Sequence, residues 1–109
     1  NRDPQFGPLV AFGMGGIYVE VLKDLAFRIA PITKQAVQEQ VREIRSFPLL
    51  SGVRGELPAD IAAAEEVVLR VSQLVTEFPE IVEMDINPLV IHNQGEGAIV
   101  LDARIILQG

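Results

Sequence analysis

The sequence contains no cysteine, no tryptophan and a single histidine. Without cysteine, the chain can form no disulfide bond, no thiolate zinc site and no thiol nucleophile of its own. Basic residues are also few, since 9 Lys and Arg stand against 15 Asp and Glu, for a net charge of −6. The lack of a basic cluster argues against nucleic-acid binding, because such proteins need positive charge against the phosphate backbone.

Long apolar runs are missing as well. No stretch approaches the roughly 20 residues that span a bilayer, and none resembles a signal peptide, so we expect a cytoplasmic protein without membrane contact. The 109 residues, 49% of them hydrophobic, suffice for one modest core. We expect a single domain over residues 1–109. Because the chain opens on Asn1 and soon enters a strand of interior type, we expect it to be an excised part of a larger domain.

The first third of the chain is rich in short apolar stretches. They predict three strands, at residues 9–12, 17–22 and 25–30. Glycines separate the first two strands, and Lys23-Asp24 is typical of a two-residue hairpin loop after the second. The glycine-rich stretch lacks the Lys-Ser/Thr ending of a P-loop and no helix is expected after it, so we interpret it as a turn.

The rest of the chain predicts two helices, followed by two antiparallel strands around a polar turn at residues 93–96. The helices are expected at 34–45, after a Thr33 cap, and at 60–77, and the strands at 81–91 and 98–107. This order predicts an α+β fold, in which an antiparallel sheet has two helices packed on one face.

The last two predicted strands carry an unexpected set of polar residues. A four-residue turn places Asn87 opposite Asp102 and Asp85 opposite Arg104, all on one face of the sheet because side chains alternate with period two. Directly opposed residues have Cβ atoms roughly 4.5–5.5 Å apart, so the Asn87 and Asp102 oxygens can converge on a small ion such as Mg²⁺. On this spacing alone, an ordinary solvated sheet face is the favoured explanation of the pattern.

Three other charged residues are candidates for ligand binding. Glu20 and Arg28 lie within predicted apolar strands, where each either meets a ligand or pairs with a group outside this chain. Arg54, between Gly52 and Gly55, is typical of phosphate or carboxylate capture, or of a salt bridge that orders its loop. His92 is predicted to be an exposed residue at the end of a strand.

Several longer motifs together resemble the C-terminal part of the ATP-grasp domain of NDP-forming acyl-CoA synthetases, the ADP-forming acetate–CoA ligase family related to succinyl-CoA synthetase. The resemblance covers nearly the whole chain, and the motifs that carry it are Asp3-Pro4-Gln5-Phe6-Gly7-Pro8, Gly15-Gly16-Ile17-Tyr18-Val19-Glu20-Val21-Leu22-Lys23-Asp24, Gly52-Val53-Arg54-Gly55, Met84-Asp85-Ile86-Asn87-Pro88-Leu89 and Asp102-Ala103-Arg104-Ile105.

The resemblance implies a nucleotide site that this chain only half contains. It implies that Asn87 and Asp102 bind Mg²⁺ and that Asp85 supports them, with Glu20, Arg28 and Arg54 as further candidates for contact with ATP or ADP. It also implies that the phosphohistidine, the first ATP-grasp subdomain and the CoA-binding domains belong to a longer parent protein, which acts on CoA and a carboxylic acid. We therefore expect the isolated chain to be inactive, and prone to self-association through an exposed apolar face.

Two alternatives to a ligase remain at this point. The same module is found in synthetase-like protein lysine acetyltransferases, whose distinguishing domain lies elsewhere in the protein. A non-catalytic α+β interaction module is the other alternative, but it has no need for converging oxygens.

Overall fold

The computed structural model describes residues 2–3, 7–53 and 55–108. In the first part of the chain, β1 (Arg2–Asp3), β2 (Gly7–Phe12) and β3 (Ala26–Ile29) form an antiparallel sheet in the order β1-β2-β3. A short helix, α1 (Ile17–Glu20), lies between β2 and β3 along the chain. The α+β class expected from the sequence is confirmed.

The helices follow, and then a second set of strands. The helices are α2 (Lys34–Glu43), α3 (Pro48–Ser51) and α4 (Ile61–Glu77). The strands are β4 (Ile81–Ile86), β5 (Leu89–Ile91), β6 (Ala98–Val100) and β7 (Ala103–Leu107). β4 pairs with β7 and β5 with β6, both antiparallel. The described strands thus form three separate sheets instead of the one sheet that was expected.

Helix α2 begins at the Thr33 cap that the sequence indicates, and α4 begins at an Asp60 cap. The Thr33 hydroxyl accepts a hydrogen bond from the Ala36 N–H at 3.1 Å, and the Asp60 carboxylate accepts one from the Ala63 N–H at 3.1 Å. Each cap satisfies a backbone donor that has no partner within its own helix.

One hydrophobic core lies between the helices and the strands. Its members are Val10 and Phe12 of β2, Ala26 of β3, Val37 and Val41 of α2, Ala64, Val68 and Val75 of α4, and Ile81 of β4, with Ala30, Ile44 and Leu50 beside them. Inside it, the fully buried Gln40 donates from Nε2 to the Val10 and Ala26 carbonyls at 3.0 and 3.1 Å, which ties α2 to both β2 and β3.

The strand predicted at residues 17–22 is wrong, because this segment begins with helix α1. Gly15 and Gly16 adopt φ of +77° and +54°, and the Gly16 carbonyl accepts hydrogen bonds from the N–H groups of Val19 and Glu20. The two glycines reverse the chain at a positive φ that other residues rarely adopt. This local turn overrides the β-propensity of the apolar run.

The predicted hairpin loop at Lys23-Asp24 is also wrong, because the segment before it begins with helix α1 and is not a strand. Asp24 is buried, and its two carboxylate oxygens accept hydrogen bonds from the N–H groups of Arg45 at 2.6 Å and Ser46 at 2.8 Å. The neighbouring Ser46 hydroxyl and these N–H groups lower the pKa of Asp24, although burial opposes them. The carboxylate therefore anchors the end of the α1 segment to the chain that follows α2.

Within the described residues, no helix has the length and apolar character needed to cross a membrane.

Candidate functional site

The predicted polar residues lie together where β4 ends and β7 begins. Asp85 is opposite Arg104 in the register of these strands, and the Asn87 N–H donates to the Asp102 carbonyl at 3.1 Å. The predicted register is confirmed, including the pairing of Leu89 with Val100. Because Met84 packs on the core, the alternation of side chains directs Asp85 and Asn87 away from the helices. We call Asp85, Asn87, Asp102 and Arg104 the polar face.

The chemistry of the polar face fits a hard divalent cation. Asp85, Asn87 and Asp102 are all exposed, and they offer carboxylate and amide oxygens, the ligand type that Mg²⁺ prefers. Oδ1 of Asp102 accepts a hydrogen bond from the Ala103 N–H at 2.9 Å, which fixes the carboxylate and leaves its second oxygen for a ligand.

The protein side of such a site is incomplete on its own. In the described part of the chain, no group of three or more His, Cys, Asp or Glu side chains converges as a metal cage. Mg²⁺ is usually held by one or two carboxylates, with water and substrate phosphates completing its octahedron. An Asp and an Asn on neighbouring strands therefore fit a cation that arrives with phosphates.

Glu83 is a member of this face that the sequence reasoning missed. Its carboxylate lies 3.7 Å from the Arg104 guanidinium, on the same side of β4 as Asp85. The signal was present, since Glu83, Asp85 and Asn87 follow one another with the period of a strand. The ion-pair partner of Arg104 is thus Glu83, and Asp85 is the residue opposite Arg104 in the strand register.

Asp60 is a second missed residue, and it holds the tip of the site hairpin. Its carboxylate accepts a hydrogen bond from the Gly97 N–H at 2.8 Å as well as the one from α4, and its own N–H donates to the His92 carbonyl at 2.8 Å. The N–H groups of Gly97 and Ala63 lower the pKa of Asp60. The bond to Gly97 was not visible in the sequence, because Gly97 lies 37 residues away.

The other charged candidates lie apart from the polar face. Glu20 is exposed at the end of α1, and not in a strand as expected. Arg28 forms a 2.6 Å ion pair with Glu43 of α2, and this hydrogen bond raises the pKa of Arg28. The guanidinium therefore has a partner on the side of β3 that faces the helices.

Two remaining residues were singled out from the sequence. Arg54 lies outside the described residues. His92 is exposed where the hairpin turn begins, and its N–H donates to the Gly97 carbonyl at 2.9 Å, as the predicted register requires.

A groove of about 630 Å³ runs between β2 and β4. Its walls are formed by the two strands, and Val67, Val68 and Val71 of α4 form its floor. Asp85 and Asn87 lie at its rim, so the groove opens beside the polar face.

Comparison with known proteins identifies the family of this fold and site. A family model described as an ATP-grasp domain matches residues 1–107. The chain belongs to the ATP-grasp domain family. Membership implies nucleotide binding, and the resemblance seen in the sequence motifs is thereby confirmed.

Relatives of known activity are similar to this ATP-grasp chain over almost its full length. The β subunit of ADP-forming acetate–CoA ligase II from Pyrococcus furiosus is 52% identical over 110 residues, which are 100% of this chain and 47% of that subunit. ADP-forming acetate–CoA ligase I from Archaeoglobus fulgidus is 54% identical over 98% of this chain and 15% of that enzyme. The chain thus spans less than half the length of these relatives.

A solved structure supports the same relationship. Dinucleotide-forming acetyl-coenzyme A synthetase 1 from Ca. Korarchaeum cryptofilum, in complex with coenzyme A and Mg-AMPPCP, superposes with a TM-score of 0.91. It is 44% identical, and the match covers 98% of this chain and 49% of that chain. That structure is described with its phosphohistidine segment pointing towards the nucleotide-binding site.

Proposed function

We propose that this chain is the cation-binding half of the nucleotide site in an ADP-forming acyl-CoA ligase. The ligase interconverts an acid, CoA and ATP with an acyl-CoA, ADP and phosphate, through an acyl phosphate and a phosphohistidine. In this proposal Asn87 and Asp102 are ligands of Mg²⁺, and Asp85 supports them. The observation that carries it is the 3.1 Å hydrogen bond from the Asn87 N–H to the Asp102 carbonyl, which makes the two residues direct cross-strand neighbours.

The residues of the polar face would bind and orient the nucleotide phosphates through the cation. Bound Mg²⁺ neutralises charge on the phosphates while a phosphoryl group is transferred. The fixed register of β4 and β7 holds the amide and carboxylate oxygens in place before the nucleotide arrives, so little reorganisation is needed. Glu83 and Asp85 lie beside Arg104, and the positive charge of its guanidinium limits the net negative charge of the polar face.

The identity of the relatives supports a ligase over the acetyltransferase alternative. Relatives 52% and 54% identical to this chain are ADP-forming ligases. A non-catalytic module is disfavoured because the same relatives, which match nearly the whole chain, are enzymes.

Turnover by the longer parent protein tests the proposal. Asp102→Ala should abolish nucleotide-dependent formation of acyl-CoA while circular dichroism and melting temperature stay close to wild type. Glu96→Ala, which removes an exposed carboxylate from the hairpin turn, is the matched control and should retain activity. Near-normal turnover by the Asp102→Ala protein would rule out an essential ligand at this position.

The isolated 109-residue chain should bind Mg-nucleotide weakly or not at all, because the subdomain that completes the nucleotide site is outside it. Titration calorimetry checks this expectation. Micromolar affinity for Mg-ATP would mean that the chain holds a complete site.

A further inference from the structure

The two residues proposed as cation ligands lie at a break in the site hairpin, which comprises residues 81–107. At the break, β4 gives way to β5 and β6 to β7, with two residues between the strands in each case. Backbone bonds of 3.1 Å still cross the hairpin here, from the Asn87 N–H to the Asp102 carbonyl and from the Leu101 N–H to the Pro88 carbonyl. The strands therefore stay in register while their regular geometry is interrupted.

Both ends of the site hairpin are attached to helix α4. At the tip, the Asp60 N–H donates to the His92 carbonyl at 2.8 Å, and the Asp60 carboxylate accepts from the Gly97 N–H at 2.8 Å. We call this pair of bonds the Asp60 clamp, and Asp60 is also the N-terminal cap of α4. At the base, the Ile81 N–H donates at 3.0 Å to the carbonyl of Phe78, the C-terminal cap of α4. The hairpin thus runs alongside the helix from one end to the other.

The hairpin is longer than the helix to which it is attached. Helix α4 has 17 residues and is about 25 Å long, at roughly 1.5 Å for each residue. The strand from residue 81 to residue 92 would span about 36 Å if it were fully extended, at about 3.3 Å for each residue. Because the longer segment is attached at both ends of the shorter one, it cannot run straight. The excess length is taken up where the strands are irregular, at the register shift between Ile81 and Glu83 and at the break that holds Asn87 and Asp102.

We propose that Asp60 is a positioning residue of the cation site, because the Asp60 clamp keeps the hairpin bent at the break and so makes the Asn87 and Asp102 oxygens converge. This inference rests on the proposed function of these two residues as cation ligands. Asp60 itself does not reach the cation, since Asn87 lies five residues from His92, about 16 Å along the strand. Mg²⁺ demands a near-ideal octahedron, so a relaxed bend would spoil the spacing of two ligands on opposite strands.

Asp60→Ser in the longer parent protein tests the role of the clamp. Serine caps a helix about as well as aspartate, so the bond from the Ala63 N–H should remain, but the single oxygen of serine cannot also accept from Gly97. We expect Mn²⁺ binding in the presence of ADP, measured by water proton relaxation, to weaken about fivefold or more. Without any cation, the amides of Asn87 and Leu101 should exchange with solvent about fivefold or more faster, because the break is no longer held. Asp60→Asn, which replaces one carboxylate oxygen by an amide nitrogen, is a second variant and should act in the same direction.

Two control variants separate this positioning role from a loss of stability and from a loss of charge. Thr33→Ala removes the hydrogen bond that caps α2, so it should destabilise the fold without changing Mn²⁺ binding or the two exchange rates. Glu96→Ala removes an exposed carboxylate from the same hairpin tip, and it should leave Mn²⁺ binding unchanged.

The outcomes distinguish this inference from the proposed function. Wild-type Mn²⁺ affinity and exchange rates in both Asp60 variants, alongside weakened binding in the Asp102→Ala protein, would overturn the positioning role alone. An equal loss of Mn²⁺ affinity in the Thr33→Ala or Glu96→Ala protein would also overturn it, because stability or charge would then explain the effect. Unchanged Mn²⁺ affinity in the Asp102→Ala protein would overturn the proposed function, and the positioning role with it.

Discussion

The substitution Gln40→Glu is a sensitive test of the core. Gln40 is fully buried, and its Nε2 donates hydrogen bonds to the Val10 and Ala26 carbonyls at 3.0 and 3.1 Å. Glutamate has nearly the same shape, but it replaces this donor with an acceptor facing two carbonyl oxygens. Protonated Glu can satisfy one carbonyl, and ionised Glu neither.

The cost of Gln40→Glu should therefore depend on pH. Losing one hydrogen bond costs about 1 kcal/mol at any pH. Burial among carbonyls raises the folded-state pKa above the ordinary value of about 4.3, so the variant loses stability as pH rises above that value. If the carboxyl stays protonated up to pH 7, the added cost reaches about 3.7 kcal/mol, at about 1.36 kcal/mol for each pH unit.

Urea unfolding at pH 4 and pH 7 measures this effect. We expect the variant to lose about 1 kcal/mol at pH 4 and about 5 kcal/mol at pH 7, which approaches the whole stability of a small domain. Gln38→Glu, at an exposed position of α2, is the matched control and should change little at either pH. A loss that is independent of pH, or no larger than that of the control, would refute the buried position of Gln40.

Three further predictions concern other parts of the chain. Gly13→Ala should lose about 1–3 kcal/mol in thermal unfolding, because the added Cβ would lie 2.8 Å from Leu25 Cδ2; unchanged stability would contradict this packing. The Gly97 and Ala63 N–H groups lower the pKa of Asp60, so the Asp60 carboxylate should stabilise the fold fully above its ordinary pKa and lose this effect as pH falls through the lowered value. The difference in unfolding free energy between wild type and Asp60→Ala should therefore shrink in acid. A difference that stays constant with pH would be inconsistent with these bonds. Leu9, Phe27 and Ile29 of the paired strands β2 and β3 are 41%, 47% and 47% exposed, so the isolated chain should self-associate in sedimentation through this apolar face, and a clean monomer at high concentration would argue against it.

The sequence predicted the site hairpin well because its signals are local. Turn residues 93–96 and the alternation of polar and apolar residues determine the register, and Asn87 lies next to Asp102 as that register requires. Both long helices were predicted from their periodicity, and α2 also from its Thr33 cap, with ends within two residues of those in the structure.

The parts that were predicted wrongly depend on contacts that are distant in sequence. Residues 17–22 have strand-like composition, but Gly15 and Gly16 turn the chain and Asp24 bonds to Arg45 and Ser46, more than twenty residues later. The ion pair of Arg28 could not be seen in the sequence either, because its partner Glu43 lies 15 residues away on α2. Neither long-range contact leaves a pattern in the local sequence.

The most direct test of the central claim is a cation-binding measurement on the longer parent protein. Mn²⁺ can replace Mg²⁺ as a probe, and water proton relaxation reports its binding in the presence of ADP. We predict that Asp102→Ala and Asn87→Ala each weaken Mn²⁺ binding about tenfold or more, equal to about 1.4 kcal/mol, while Glu96→Ala does not. Wild-type Mn²⁺ affinity in both the Asp102→Ala and Asn87→Ala proteins would contradict the assignment of these residues as cation ligands.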